Sequence, residues 1–336
     1  MIRRASGAVL IAVGLLGALP AQASRPGGAG LFDVRAARVP ERGGLRVGLL
    51  GTGYRLHSAQ DPEEGGRVAT DGGLGVLFGV GRGVALFASV EGTAHEYRGT
   101  VPIVAEDAVI GAQAAWRAGL PRWLRAGAVI AASLPTGVRS RGLSTRSVTP
   151  EAALLLSVRL PDPGSRTVTR LHLNAGLRAF HNAPGRTLAG YPAWYLPPVH
   201  PRGDSVRLDL RAALESASPR MRVFVELVAD RIADDRLAWK EGPLFLTPGA
   251  EVALGGGVSL LGGVKVALSR DDPTSTAYRP PRELFPDWQL LIGVSWSNGP
   301  RPAWPSPTPA PSPPASSGDS GSSPPPPPAE SGSRTS

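Results

Sequence analysis

No cysteine occurs in the 336 residues, which excludes disulfides and every metal or redox site built on thiolates. Lysine is almost absent: 36 basic residues include only Lys240 and Lys265. The formal net charge is nevertheless +9. The arginines that supply it are spread along alternating segments and form no run, so the charge does not point to nucleic acid. After residue 23 no uncharged apolar stretch approaches the roughly 18 residues of a membrane helix. Helical periodicity is also scarce. No G-x-S-x-G, Walker A, G-x-G-x-x-G or H-E-x-x-H pattern occurs. His57, His95, His172, His181 and His200 are scattered. No enzyme, cofactor or metal site is expected from these residues.

What is present begins with an export signal. Met1 to Arg4 carry positive charge, Ala8 to Leu19 are apolar, and Ala21-Gln22-Ala23 is a small-x-small cleavage site. Residues 1–23 therefore read as a secretory signal peptide. An entry segment, 24–43, follows.

From there the hydrophobic period is two. In "DSVRLDLRAALES" (204–216), Val206, Leu208, Leu210, Ala212 and Leu214 share one parity, and Arg207, Asp209, Arg211 and Glu215 hold the other. That is a strand with one apolar and one charged face. Twelve such strands are predicted, over 45–55, 68–80, 84–97, 107–119, 123–134, 149–160, 167–180, 204–216, 221–230, 244–254, 258–270 and 287–297. Tight Gly- and Pro-rich turns alternate with longer polar connections. The fold class that follows is all-β: a twelve-stranded antiparallel up-and-down transmembrane barrel over 44–298, with both termini on the periplasmic side.

Two patterns assign the apolar parity to lipid. Its side chains include many alanines (Ala112, Ala114, Ala126, Ala128, Ala132), which would leave voids in a protein core but are readily covered by lipid tails. Aromatics also gather near strand ends: Tyr54, Tyr97 and Trp288 by the long connections, Trp116, Trp123 and Trp296 by the short turns. These are read as the two interfacial girdles of a barrel.

Three stretches give the chain a likeness to known proteins: "GLFDVRAARVPERGGLRVGL" (30–49), "SLPTG" (133–137) and "PDWQLLIGVSW" (286–296). They resemble Gram-negative outer-membrane β-barrel proteins of the porin-like, phenol meta-pathway transporter type. The closing strand looks like the barrel-assembly signal, although Asn298 stands where its last aromatic is expected. Continuation of the chain past that strand is similar to OmpA-type proteins. The resemblance implies an integral outer-membrane location, contact with lipid and lipopolysaccharide, and recognition by the barrel-assembly machinery.

Residues 299–336 are Pro, Ser and Gly with one tryptophan, a composition that cannot bury enough apolar surface to fold. A disordered periplasmic tail is expected, either free or tethered to the cell wall or a periplasmic protein.

The polar parity supplies the candidate site. Arg170, His172 and Arg178 lie on one strand, Arg207, Asp209, Arg211 and Glu215 on the next, and Arg222 and Glu226 on a third. Glu251 and Lys265 lie beyond. Neighbouring strands are under about 5 Å apart, so these residues are read as a lumen-lining ladder of opposite charges. Two readings stand. The ladder lines a narrow channel whose arginine excess favours small polar or anionic solutes, or it closes the lumen and leaves a structural anchor. Twelve strands fall between filled and open barrels, so size does not choose. A lipid hydrolase at the outer rim is a third, more distant reading. Loop 181–203 carries Tyr191, Trp194 and Tyr195, the candidate external contacts.

Overall fold

The computed structural model describes residues 31–56, 67–95, 103–137, 147–161, 167–180, 205–232, 244–268 and 288–298. The chain divides into 1–302, which holds the barrel, and 303–336, which lies outside the described residues. The signal segment, Tyr97, loop residues Tyr191, Trp194 and Tyr195, and the tail also lie outside them.

The strands are β1 Leu45–Leu56, β2 Arg67–Gly81, β3 Val84–His95, β4 Ile103–Ala105, β5 Ala108–Trp116, β6 Leu124–Leu134, β7 Thr149–Arg159, β8 Val168–Phe180, β9 Ser205–Ala217, β10 Met221–Ile232, β11 Leu244–Gly255, β12 Val258–Ala267 and β13 Trp288–Ser297. Every pairing is antiparallel, β1 pairs with both β2 and β13, and β2 pairs with β3, so the sheet closes. Closure removes the unpaired edges that an open sheet would expose.

Thirteen pieces make twelve barrel positions. Ala105 opposes Gly92 and Val109 opposes Ser89. The chain thus takes four steps where its partner takes three, so β4 and β5 are one strand with a bulge at Glu106-Asp107. Short turns lie at one end. Arg82 and Gly83 both take positive φ (51° and 79°), the conformation of a two-residue hairpin whose twist matches its strands. The seam is tied beyond the last strand: Asn298 Oδ1 accepts the Leu45 N–H (2.7 Å), and its own N–H reaches the Leu45 carbonyl (3.1 Å). At this position the amide closes the barrel where an aromatic was expected.

The two faces separate cleanly. Ile130, Leu154, Leu177, Leu214, Leu254 and Ile292 point outward and are exposed, with Leu154 at 68%. Trp116, Trp123, Trp288 and Trp296 are likewise exposed. In water such a surface would be a large apolar liability; in a bilayer it is the required exterior.

Tyr54 departs from the girdle expectation. It sits on the inward parity of β1, is 6% exposed, and donates its hydroxyl to Asp71 Oδ1 at 3.2 Å. Thr52 Oγ1 (3.3 Å) and Thr93 Oγ1 (2.9 Å) donate to the same carboxylate. Three hydroxyls around a fully buried carboxylate replace its lost hydration, which is the physical reason the ring turns in. Phe245 is also inward, with Lys265 Nζ 4.9 Å from its ring centroid.

The interior is not uniformly polar. Leu77, Ala85, Phe87, Val109, Val129 and Leu155 form an apolar wall on β2 to β7, and Ala37 of the entry segment packs against it. Apart from Asp71, Glu106 and Asp107, the buried charges of the wall among the described residues are on β8 to β12.

Candidate functional site: the filled lumen

Residues 31–44 precede β1, and part of this segment lies inside the barrel. Phe32, Val34 and Ala37 are at most 2% exposed, and Asp33, Arg35 and Ala36 are also buried. The segment is bent and bonds to itself, from the Leu31 N–H to the Val34 carbonyl (2.9 Å) and from the Arg38 N–H to the Ala36 carbonyl (2.7 Å). It is not part of the wall's strand ladder, so wall side chains satisfy much of its remaining backbone. They do so one after another. The Glu226 carboxylate accepts the N–H of Asp33 through both oxygens (3.1 Å each) and that of Val34 (2.9 Å). Asn174 Oδ1 accepts the Arg35 N–H (2.7 Å), and its amide returns a bond to the Arg35 carbonyl (2.8 Å). Ser157 Oγ accepts the Ala37 N–H (2.9 Å). Gln113 Nε2 donates to the carbonyls of Ala36 and Arg38 (2.8 Å each), and Arg211 Nη1 to that of Asp33 (2.9 Å).

Side chains of the segment complete the fit. Asp33 Oδ2 pairs with Lys265 Nζ at 2.9 Å, both nearly sealed from solvent. Phe32 meets Phe224 edge-to-face with centroids 5.5 Å apart. The Arg35 guanidinium lies 4.4 Å from the Phe87 ring centroid, within cation–π range. At Gly263 an added Cβ would come within 2.6 Å of Phe32, so the absence of a side chain there makes room for the ring.

Two carboxylates organise the remaining charges. Glu215, fully buried, accepts from Arg170 Nη1 (2.9 Å), Arg222 Nη1 (3.2 Å) and Arg38 Nη2 (3.3 Å). Arg222 also contacts Glu251. Asp209 receives Arg178 Nη2 and Arg211 Nη2 (3.3 Å each), with Arg207 Nε at 3.5 Å, and Arg178 Nε also reaches Glu151 at 3.2 Å. Burial of such networks is costly unless each charge is met; here each carboxylate is met several times. All eleven residues expected to line the lumen thus carry side chains inside the barrel, and they hold either one another or the segment.

His172 is fully buried, with Nδ1 2.8 Å from Ser157 Oγ and Nε2 3.7 Å from Glu215. This Ser–His–Glu arrangement lies in the short-turn third of the lumen, not at the outer rim. Its serine is already engaged with the Ala37 N–H.

Sequence reasoning missed the segment's role, and with it Asp33, Arg35, Arg38, Gln113 and Ser157. One trace was readable: "FDVRA" (32–36) alternates apolar and charged residues before any strand begins.

No protein-family model matches the chain, and a search of curated protein sequences returns no match. Similar solved structures include the NanC porin, at 11% identity over 74% of this chain and 98% of that chain, with a TM-score of 0.47. The β domain of the Bordetella autotransporter BrkA shows 14% identity over 76% and 99%, with a TM-score of 0.41. The translocator domain of the autotransporter NalP from Neisseria meningitidis shows 12% identity over 77% and 90%, with a TM-score of 0.43. The barrel assignment stands on this chain's own register and faces. Closed pairing, an apolar exterior and a charged, segment-filled interior make it a closed twelve-stranded antiparallel β-barrel with the face distribution of a membrane-spanning one.

Proposed function

We propose that the protein is an outer-membrane channel for small polar or anionic solutes, held closed by residues 31–38 and conducting when they leave the lumen. The observation that supports this is the chemistry of the contact. The segment's backbone is held by Glu226, Asn174, Ser157, Gln113 and Arg211. Water can replace each of these partners once the segment withdraws, leaving a polar charged wall behind. The short-turn end and both termini face the periplasm in this reading. Lipid and lipopolysaccharide cover the outer face, the assembly machinery reads β13, and the tail is available to the cell wall or a periplasmic protein. We take the role to be non-enzymatic, a reading supported in the closed state by the burial of His172 and by Ser157 Oγ being engaged with the Ala37 N–H.

A second reading, a non-conducting anchor, is favoured by the apolar contacts of Ala37 and Phe32 with the wall. Planar-bilayer recording separates the two. The full-length refolded barrel should be silent with rare openings, and a variant lacking residues 24–41 should carry steady current. A folded deletion variant that stays silent at every voltage rejects the channel and leaves the anchor.

A further inference from the structure

The short-turn rim is arginine-rich in a way the lumen does not explain. Arg82, Arg117, Arg122 and Arg220 sit on the turns and are exposed. None has a side-chain hydrogen bond or ion pair among the described residues, in contrast to the lumen arginines. At the same rim Glu41 is the one exposed carboxylate among the described residues. Exposed tryptophans lie in the same belt: Trp116 beside Arg117, Trp123 beside Arg122, and Trp296 at the end of β13.

We propose that this rim binds the phosphate headgroups of anionic glycerophospholipids in the membrane leaflet it contacts. Tryptophan settles at headgroup depth, where its ring is buried and its N–H is wet. A guanidinium one residue away then lies at the level of the phosphates, which it can engage through two parallel N–H donors. Basic residues at a membrane surface each raise the affinity for anionic lipid by about fivefold. The short turns hold these side chains at a fixed height, so the sites form a band around the barrel. The inference rests on the membrane-barrel reading but not on the channel.

The test uses the full chain refolded in phosphatidylcholine vesicles carrying a trace of spin-labelled lipid. Electron spin resonance then compares motional restriction of labelled phosphatidylglycerol and labelled phosphatidylcholine. The wild type should favour phosphatidylglycerol several-fold. A combined Arg117→Gln, Arg122→Gln and Arg220→Gln variant should lose most of that preference, and the matching lysine variant should keep part of it. A glutamine variant with undiminished preference would overturn the proposal. So would displacement of the label by excess inorganic phosphate, which would mark a soluble-anion site. If the chain fails to insert at all, the membrane reading fails, and that outcome is distinguishable from an inserted barrel with no lipid preference.

Discussion

Replacing Glu226 by alanine removes the strongest backbone clamp on the lumen segment. The carboxylate accepts the N–H groups of Asp33 and Val34 at 3.1 and 2.9 Å, deep in the barrel. A buried hydrogen bond contributes roughly 0.5–1.5 kcal/mol net, and orphaning its buried donor costs about 1–3 kcal/mol. The two donors together favour the seated segment by several kcal/mol. Part of that is recovered because Asp33 keeps Lys265 at 2.9 Å and Arg211 still donates to its carbonyl. A net loss of about 2–4 kcal/mol from the closed state follows, or about 30- to 700-fold in the closed-to-open ratio. Single-channel recording should show Glu226→Ala open far more often than wild type, with Glu226→Gln in between because it retains one acceptor. Unchanged silence in a Glu226→Ala barrel that still migrates as the folded form would refute the reasoning.

Tyr54→Phe should cost about 1–2 kcal/mol in urea unfolding from vesicles, since it removes one of three donors to the buried Asp71; a lipid-facing girdle position would tolerate the loss of a hydroxyl. Ile130→Arg puts a cation in mid-span hydrocarbon and should destabilise the barrel by about 2–4 kcal/mol in the same assay, whereas a neutral result would mean that β6 is facing the wrong way. Phe32→Ala should raise open probability as Glu226→Ala does, because it removes the contact with Phe224; no change would assign the closed state to the polar clamps alone. An accessible tag in loop 181–203 should be labelled on intact cells and one replacing Gly83 should not, and the reverse pattern would invert the topology.

Much of this architecture was legible along the chain because it depends on local periodicity. In "DSVRLDLRAALES" every second side chain faces lipid, and a one-residue slip would put Arg207 and Arg211 into hydrocarbon. That penalty fixes faces, and short turns such as Arg82-Gly83 fix the order of neighbours, so the strands followed from sequence alone. The lumen residues were readable for the same reason: Arg170, Asp209 and Glu215 share the parity opposite to the leucines.

Tertiary structure decided what fills the space those faces enclose. Leu77, Phe87 and Val129 are as apolar as lipid-facing residues, and only closure of the sheet shows that they face inward. Tyr54 belongs to the interior because Thr52, Thr93 and Asp71 converge there from three strands, a convergence invisible to any one strand's pattern. The segment 31–38 carries no turn signal or partner in sequence. Its place depends on Glu226, Asn174, Ser157, Gln113 and Lys265, which lie between 75 and 232 residues away along the chain. A backbone outside the strand ladder takes its hydrogen bonds wherever the closed wall supplies them, and that supply exists only after the barrel has formed.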